Sequence, residues 1–462
     1  MKRYKGSIAL VLLVISWGIL FFLTGNKAPW YYFTTENNND IIIPLGDVPI
    51  ENYDRMGFTS GLIKYSDLNR AWLVGTERGE VFSFDSNGKQ LWKRALGLGK
   101  FVSMELSQDG KIVYVGEQSP TGQIFALDTK NGNVVWSYET SSVIGVDVAK
   151  RSLPSVVHIS VDNEDNIYIN AYRFVMFKDG GKGYNARSLA FNKAGNLLWV
   201  YPKDEVMDTW INWLDGNGAH DTVVLSSSAY EMRDDMKYKD TLYFINKKTG
   251  EKRNSLFIEP MQPFDKTVMR GSPNFSKDGE VLAASCSDGR SYLFDYQGNI
   301  LWQRTLSEPQ LIDGAWLNAS GRDGYVIGDK VFFTTINTFN RENWQLPTPV
   351  NHPASNSLFA FDKDGKFLYR YKAQGTIEKI DFAGELIACA IGRNVRNHNY
   401  GAHGAVVLSA RDGGVLAEFE TEGPLQSVGI SSDGKSLAGL EAPALTPEGK
   451  IIGAYQLHIW QL

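Results

Sequence analysis

Three groups of residues in this 462-residue chain carry side chains able to do chemistry. The first mixes carboxylates, an imidazole and indoles: Glu105, His158, Trp210, Trp213, Asp313, Trp316, Glu378 and Asp381. Brought to one space, such a set holds a small ligand or moves protons. It equally suits a water-filled axis. The second is His352, His398 and His403, half of the six histidines. Converging imidazoles bind zinc or copper. The interval from His398 to His403 fits no helix-borne ligand pair, so no metal centre is expected. The third is Tyr184, Trp344 and Tyr400, aromatics suited to a protein or glycan contact because rings supply area at little entropic cost. The acidic run Asp162, Glu164 and Asp165 lacks the twelve-residue pattern of a calcium loop and reads as a solvated turn.

Other chemistry is excluded more firmly. Cys286 and Cys389 lie far apart in apolar strand-like runs and read as buried free thiols. No Cys-x-x-Cys-His occurs, which rules out covalently attached haem. A net charge of -5 offers no basic face for nucleic acid. No clear catalytic constellation stands out.

The element that must position these residues is a repeated hairpin. Residues 122–136 read GQIFALDTKNGNVVW: a strand ending in Asp128, a tight turn closing on Gly132, and a second strand carrying Trp136. Closing glycines recur at Gly88, Gly132, Gly195, Gly250, Gly298, Gly365 and Gly413. Four residues beyond them stand Trp92, Trp136, Trp199, Asn254, Trp302, Tyr369 and Ala417. The copies recur about every 54 residues, which suits one four-stranded unit each. Each unit opens with a first hairpin, as at Asp109-Gly110 and Asp278-Gly279. Strands such as residues 124–127 are apolar at every position, so both faces of the sheet must be covered.

These features predict an all-β chain, a β-propeller with four antiparallel strands per blade. Eight blades are favoured over seven, because a last unit after Thr421 lacks its outer strand and residues 41–50 are free to supply it. The propeller then spans residues 41–462. Ahead of it, Lys2, Arg3 and Lys5 make a cytoplasmic segment over 1–6, and an uncharged run over 7–23 reads as a transmembrane signal anchor of roughly 26 Å. Residues 24–40 form a linker. The charge asymmetry places the propeller on the extracytoplasmic side of the cell membrane; a cleaved signal, giving a secreted protein, is the alternative.

The Asp128/Gly132/Trp136 motif resembles the repeat of quinoprotein-like propellers, the PQQ-repeat or BamB-like family. It recurs at Asp85/Gly88/Trp92, Asp295/Gly298/Trp302 and, with Asn for Asp, Asn192/Gly195/Trp199. The resemblance covers nearly all of residues 57–462. It implies that Trp92, Trp136, Trp199 and Trp302 pack on the next blade's turn, and it leaves Asn254 and Ala417 without that contact. The family holds quinone-dependent dehydrogenases and non-enzymatic relatives that bind proteins, including the propeller lipoprotein of outer-membrane protein assembly. The adjacent cysteines of the large alcohol dehydrogenases are missing here, which weighs against an enzyme.

Alternate connections of a blade fall on opposite faces. One set is tight. The other carries insertions at residues 171–187, 229–240, 336–356, 392–404 and 441–453, and binding belongs there. That face holds the candidates Tyr184, Trp344, His352, His398, Tyr400 and His403. The inner strands carry the eight channel candidates. The expected function is a membrane-anchored extracytoplasmic scaffold of the cell envelope that binds a protein partner, with no cofactor. The alternative is a pyrroloquinoline-quinone-type oxidoreductase, with calcium, or a small-molecule or glycan sensor using the channel.

Overall fold

The computed structural model describes residues 40–48, 62–176, 182–227, 236–312, 314–340, 352–392, 403–446 and 449–462. The anchor expected over 7–23 and the linker up to residue 39 lie outside them. Among the described residues no helix is long and apolar enough to cross a membrane.

The described chain folds as consecutive four-stranded antiparallel units. The first runs Ile63–Ser66, Ala71–Gly75, Glu80–Asp85 and Gln90–Ala95, each strand paired with the next. The same path repeats from Lys100–Leu106 to Val134–Glu139, from Ser155–Val161 to Leu197–Tyr201, and from Ile211–Gly216 to Lys252–Leu256. It continues from Asn274–Phe275 to Ile300–Thr305, from Ala315–Ile327 to Phe367–Lys372, and from Ile377–Ala383 to Val415–Thr421. The last unit differs. Leu425–Ile430, Ser436–Glu441 and Gln456–Gln461 come from the C-terminal end, and Ile41–Pro44 adds the outer strand with Ile41 opposite Ile459 and Pro44 opposite Gln456. Pro44, having no N–H, fits this edge strand.

Burial grades outward across each unit. Ala71–Gly75 is buried at every position, whereas Gln90–Ala95 alternates between exposed and covered. The core therefore lies between units. One cluster joins Ala438, Leu440, Leu457 and Ile459 of the last unit to Leu73, Val74 and Phe82 of the first and Phe101 and Val113 of the second. Packing of the last unit on the first closes the circle. Apolar area removed from water between sheets is the main driving force for this arrangement.

Polar contacts stitch the inner strands. Lys64 Nζ meets Glu105 Oε2 at 2.7 Å, Ser103 Oγ donates to Val156 O at 2.6 Å, and Ser160 Oγ donates to Asp215 Oδ1 at 2.8 Å. Phe275 N donates to Asp215 Oδ2, Asn274 Nδ2 to Gly324 O, Arg322 Nη1 to Glu378 Oε2 and Ile430 N to Asp381 Oδ2. Tyr455 Oη accepts from Glu77 N across the seam between last and first units. Every neighbouring pair of units shares at least one of these bonds.

The outer strands dock by their indoles. Trp92 Nε1 donates to Thr129 O at 3.0 Å, Trp136 Nε1 to Lys193 O at 3.1 Å, Trp199 Nε1 to Lys247 O at 2.7 Å and Trp302 Nε1 to Lys363 O at 2.9 Å. Each ring lies against the closing glycine of the neighbouring turn. A Cβ on Gly132 would stand 2.6 Å from the Trp92 ring, and Gly132 has φ +72°. Only glycine meets both conditions.

Of the three positions without tryptophan, two carry no ring at all and find other solutions. Asn254 Nδ2 donates to Gln297 O at 2.9 Å, and the Phe244 ring lies under Gly298 instead. Ala417 faces the unit built from both chain ends, where no turn joins the third strand to the fourth. A docking ring would have nothing to meet, and Ala417 packs instead beside a cluster containing Phe419 and Trp460. At the opposite seam Ile41 and Ile43 lie against Gly88 and Gln461 Nε2 donates to Ser86 O.

Trp199→Ala is expected to cost about 3–5 kcal/mol by urea denaturation, as buried aromatic truncations do. Ala417→Trp is expected to bring no gain, there being no turn to receive the ring.

Candidate functional site

The first and third turns of each unit lie on one face, and their polar groups are spent on one another. Lys193 Nζ reaches Asp109 at 3.0 Å and Asp165 at 2.6 Å, and Lys248 reaches Asp221 at 2.8 Å. The acidic turn at Asp162 belongs here. Its carboxylate accepts from Glu164 N, Asn166 N and Tyr168 Oη, and sits 3.3 Å from the buried Lys247 ammonium. Those donors occupy the oxygens a calcium ion would use.

The opposite face is built by strands that outrun the sheet. In the third unit Ile167–Met176 pairs with Lys182–Phe191 all the way from Ile167 opposite Phe191 to Met176 opposite Lys182. Outside residues 177–181, the expected insertion at 171–187 thus continues the ladder. In the sixth unit Ala315–Ile327 pairs with Lys330–Asn340, and Gln310–Ile312 adds a short strand beside it. In the last unit Ala444–Leu445 pairs with Ile451–Ile452.

The third-unit hairpin carries an aromatic shelf. The Tyr184 and Trp210 rings stack in parallel, 5.6 Å apart and 4° from coplanar. Tyr172 meets Trp210 at 5.6 Å, and Phe174 meets Tyr184 at 5.1 Å. Arg173 fixes the neighbouring connection: Nε donates to Ile144 O at 2.6 Å and Nη1 to Ser152 Oγ at 2.8 Å. On the other flank Ala186 and Met207 exchange backbone bonds, and Tyr238 Oη donates to Glu205 Oε1 at 2.8 Å. Around the shelf large apolar side chains face water: Val148 is 60% exposed, Met176 42% and Phe174 and Val146 41%. Sequence reasoning named Tyr184 for this face, assigned Trp210 to the channel and missed the others. Their signal was apolar side chains in connections too short to bury them.

The channel candidates divide. Glu105, Glu378 and Asp381 are seam residues on inner strands. His158 is on the inner strand of the third unit, and burial, with Lys379 and Lys64 across the axis, pushes its pKa down to about 3. It stays neutral at physiological pH. Trp213 is on the fourth inner strand, where its carbonyl accepts from Ser226 Oγ. Trp210 stands in the shelf rather than the channel. Trp316 sits on the projecting hairpin opposite Leu311 and is 45% exposed, because the sixth inner strand reaches the sheet only further on. Asp313 lies outside the described residues. Four charged channel residues went unlisted from sequence: Lys64, Asp215, Asp323 and Lys379. Burial opposes the charge on Lys64, but Glu105 holds its pKa above the ordinary lysine value. Burial and Lys64 lower that of Lys379.

The loop histidines are corrected likewise. His352 is 2% exposed; Nε2 donates to Glu308 O at 2.8 Å while Nδ1 accepts from Ala354 N at 3.1 Å. His403 opens a buried strand, its Nδ1 bonded to Glu422 O. Both organise backbone and neither is displayed to a partner. Trp344, His398 and Tyr400 lie outside the described residues. Among the described residues no three His, Cys, Asp or Glu side chains are grouped as a metal would need. Cys286 and Cys389 are both buried, and neither forms a disulfide.

Residues 54–205 match the family model described as outer membrane protein assembly factor BamB. The crystal structure of BamB from Moraxella catarrhalis aligns with 91% of this chain and 100% of its own, at 13% identity and a TM-score of 0.53. The chain has the β-propeller fold, and residues 54–205 are similar to the BamB-like family of PQQ-repeat propellers. The C-terminal WD40 domain of Sif2 shares the propeller fold at 9% identity, covering 91% of this chain and 98% of its own with a TM-score of 0.56. No curated protein matches this propeller by sequence.

One channel group gives the propeller a measurable pH signature. Burial, opposed by bonds from Phe275 N, Ser160 Oγ and Gly216 N, pushes Asp215 up to about 6. The folded state then keeps a proton that the unfolded chain releases near pH 4. Stability falls as pH rises from about 4 to 6, by up to about 3 kcal/mol. Asp215→Asn is expected to flatten that part of a urea-denaturation pH series.

Proposed function

We propose that this chain is a binding scaffold of the cell envelope. In this reading residues 7–23 anchor an eight-bladed propeller to the membrane, on its extracytoplasmic side, and the long-loop face docks a protein partner. The observation that carries it is the exposed shelf of Val146, Val148, Phe174 and Met176 beside the Tyr184–Trp210 stack. Soluble proteins seldom leave such side chains grouped without a use for them. Aromatic and methionine-rich surfaces are typical of interface cores. The match to an assembly-factor family agrees with it. The eight-blade count draws support from the outer strand that Ile41–Pro44 lends to the last unit.

The channel serves structure in this reading. Its charges are largely paired with one another or with backbone, and no quinone or calcium is required. A membrane preparation cross-linked in cells and pulled down on the propeller is expected to recover one specific envelope protein. The double variant Phe174→Ser, Met176→Ser is expected to cut that recovery at least about tenfold, each buried apolar side chain being worth about 1.5–3 kcal/mol. Undiminished recovery with the protein still folded would sink the docking reading.

A further inference from the structure

The strand that closes the ring is held by a charged group buried beside it. His458 lies on Gln456–Gln461, between Ser436–Glu441 on one side and Ile41–Pro44 on the other. Its direct partners across the ladders are Gly439 and Ile42. His458 Nε2 stands 2.6 Å from Glu441 Oε2. His458 Nδ1 stands 3.1 and 3.2 Å from the two oxygens of Asp40, the residue that leads into Ile41–Pro44.

Ionised carboxylates only accept hydrogen bonds, so both ring nitrogens must donate. A neutral imidazole has one N–H and would turn a lone pair toward one carboxylate. The geometry therefore calls for the imidazolium. Glu441 is locked independently, accepting from Gly423 N at 2.7 Å, Ala454 N at 3.2 Å and Gln456 Nε2 at 2.8 Å. Asp40 makes no comparable set of bonds among those described, so the cation is what fixes it.

We infer that His458 is an ionic latch on the ring: as a cation it seats the N-terminal strand in the last unit, and loss of its proton loosens that strand. The titratable groups facing it are Asp40 on the incoming strand and Glu441 on the neighbouring one. On its own strand the uncharged Gln456 amide lies 3.4 Å away and the Trp460 ring stacks at 5.2 Å.

The pH window follows. Burial disfavours the cation, but Asp40 and Glu441 outweigh it and carry His458 up to about 9. A histidine raised in the fold stabilises fully below its unfolded value of about 6.5 and loses that contribution as pH rises through the folded value. Glu441, held below the ordinary carboxylate range chiefly by His458 against the pull of burial, fails on the acid side. The latch is closed at neutral pH and opens in alkali. What it releases is the strand whose Ile41 and Ile43 lie against Gly88 of the first unit. The joint between first and last units weakens with it.

The test uses the full chain labelled with 15N-histidine. At pH 7.5 His458 is expected to show two protonated ring nitrogens and to titrate near pH 9, its signal assigned by its absence in H458Q. A neutral tautomer at pH 7.5 would overturn the latch. In parallel, subtilisin cleavage within residues 40–48 is followed by mass spectrometry at pH 7 and pH 9.5, each rate normalised to an unstructured peptide. Wild type should be cut at least about tenfold faster at the higher pH. H458Q should be cut quickly at both. Equal protection and an identical pH profile in wild type and H458Q would also overturn it. Should H458Q fail to fold, the wild-type ring signal decides alone, with D40N expected to lower its midpoint.

Discussion

A sheet that is apolar on both faces stays dry only if both faces are covered. That constraint decides this structure. Ala71–Gly75 and Leu425–Ile430 are buried at every position, which no free-standing sheet and no two-layer sandwich would require of all its strands. Each unit therefore needs a neighbour on either side. A row of such units has two wet ends, and a circle has none. The docked indoles, the inner-strand bonds and the borrowed outer strand are refinements of that one geometry.

How much of this could be read from the amino acids depended on whether a residue answers to its own repeat or to a neighbour. The hairpin motif is local. Asp128, Gly132 and Trp136 declare a turn and a strand, and their spacing made the repeat and the borrowed outer strand legible. The docking of Trp92, Trp136, Trp199 and Trp302 was legible only through a family resemblance. The replacement of an indole by Asn254 with Phe244 was not, because the two residues sit on different strands. Site residues fared worse. Trp210 precedes Ile211–Gly216 and Trp316 sits at the projecting start of Ala315–Ile327, so inner-strand membership could not be counted from the turn. His352 and His403 lie in long connections, yet their rings turn inward to satisfy backbone groups, which composition does not announce.

The two faces of the disc also differ in how they treat charge. On the tight-turn face, lysines and aspartates of neighbouring units neutralise one another across short gaps. On the long-loop face the ladder itself extends, as in Ile167–Met176 with Lys182–Phe191, and lifts aromatic and aliphatic side chains away from the core. A rigid ladder holds them in place, so a partner would meet a preformed surface at little ordering cost.

Ile41 lies opposite Ile459, at the far end of the polypeptide. During synthesis Ile41–Pro44 must wait until Gln456–Gln461 has been made before it can be seated. Intermediate units can pair locally within some tens of residues, but these two strands meet only across a very long stretch of chain. Until then the last sheet keeps an open edge and the first unit an uncovered flank, both inviting to other chains. A protein of this shape places a premium on rapid delivery of its own C-terminus, or on a chaperone that shields the unfinished arc.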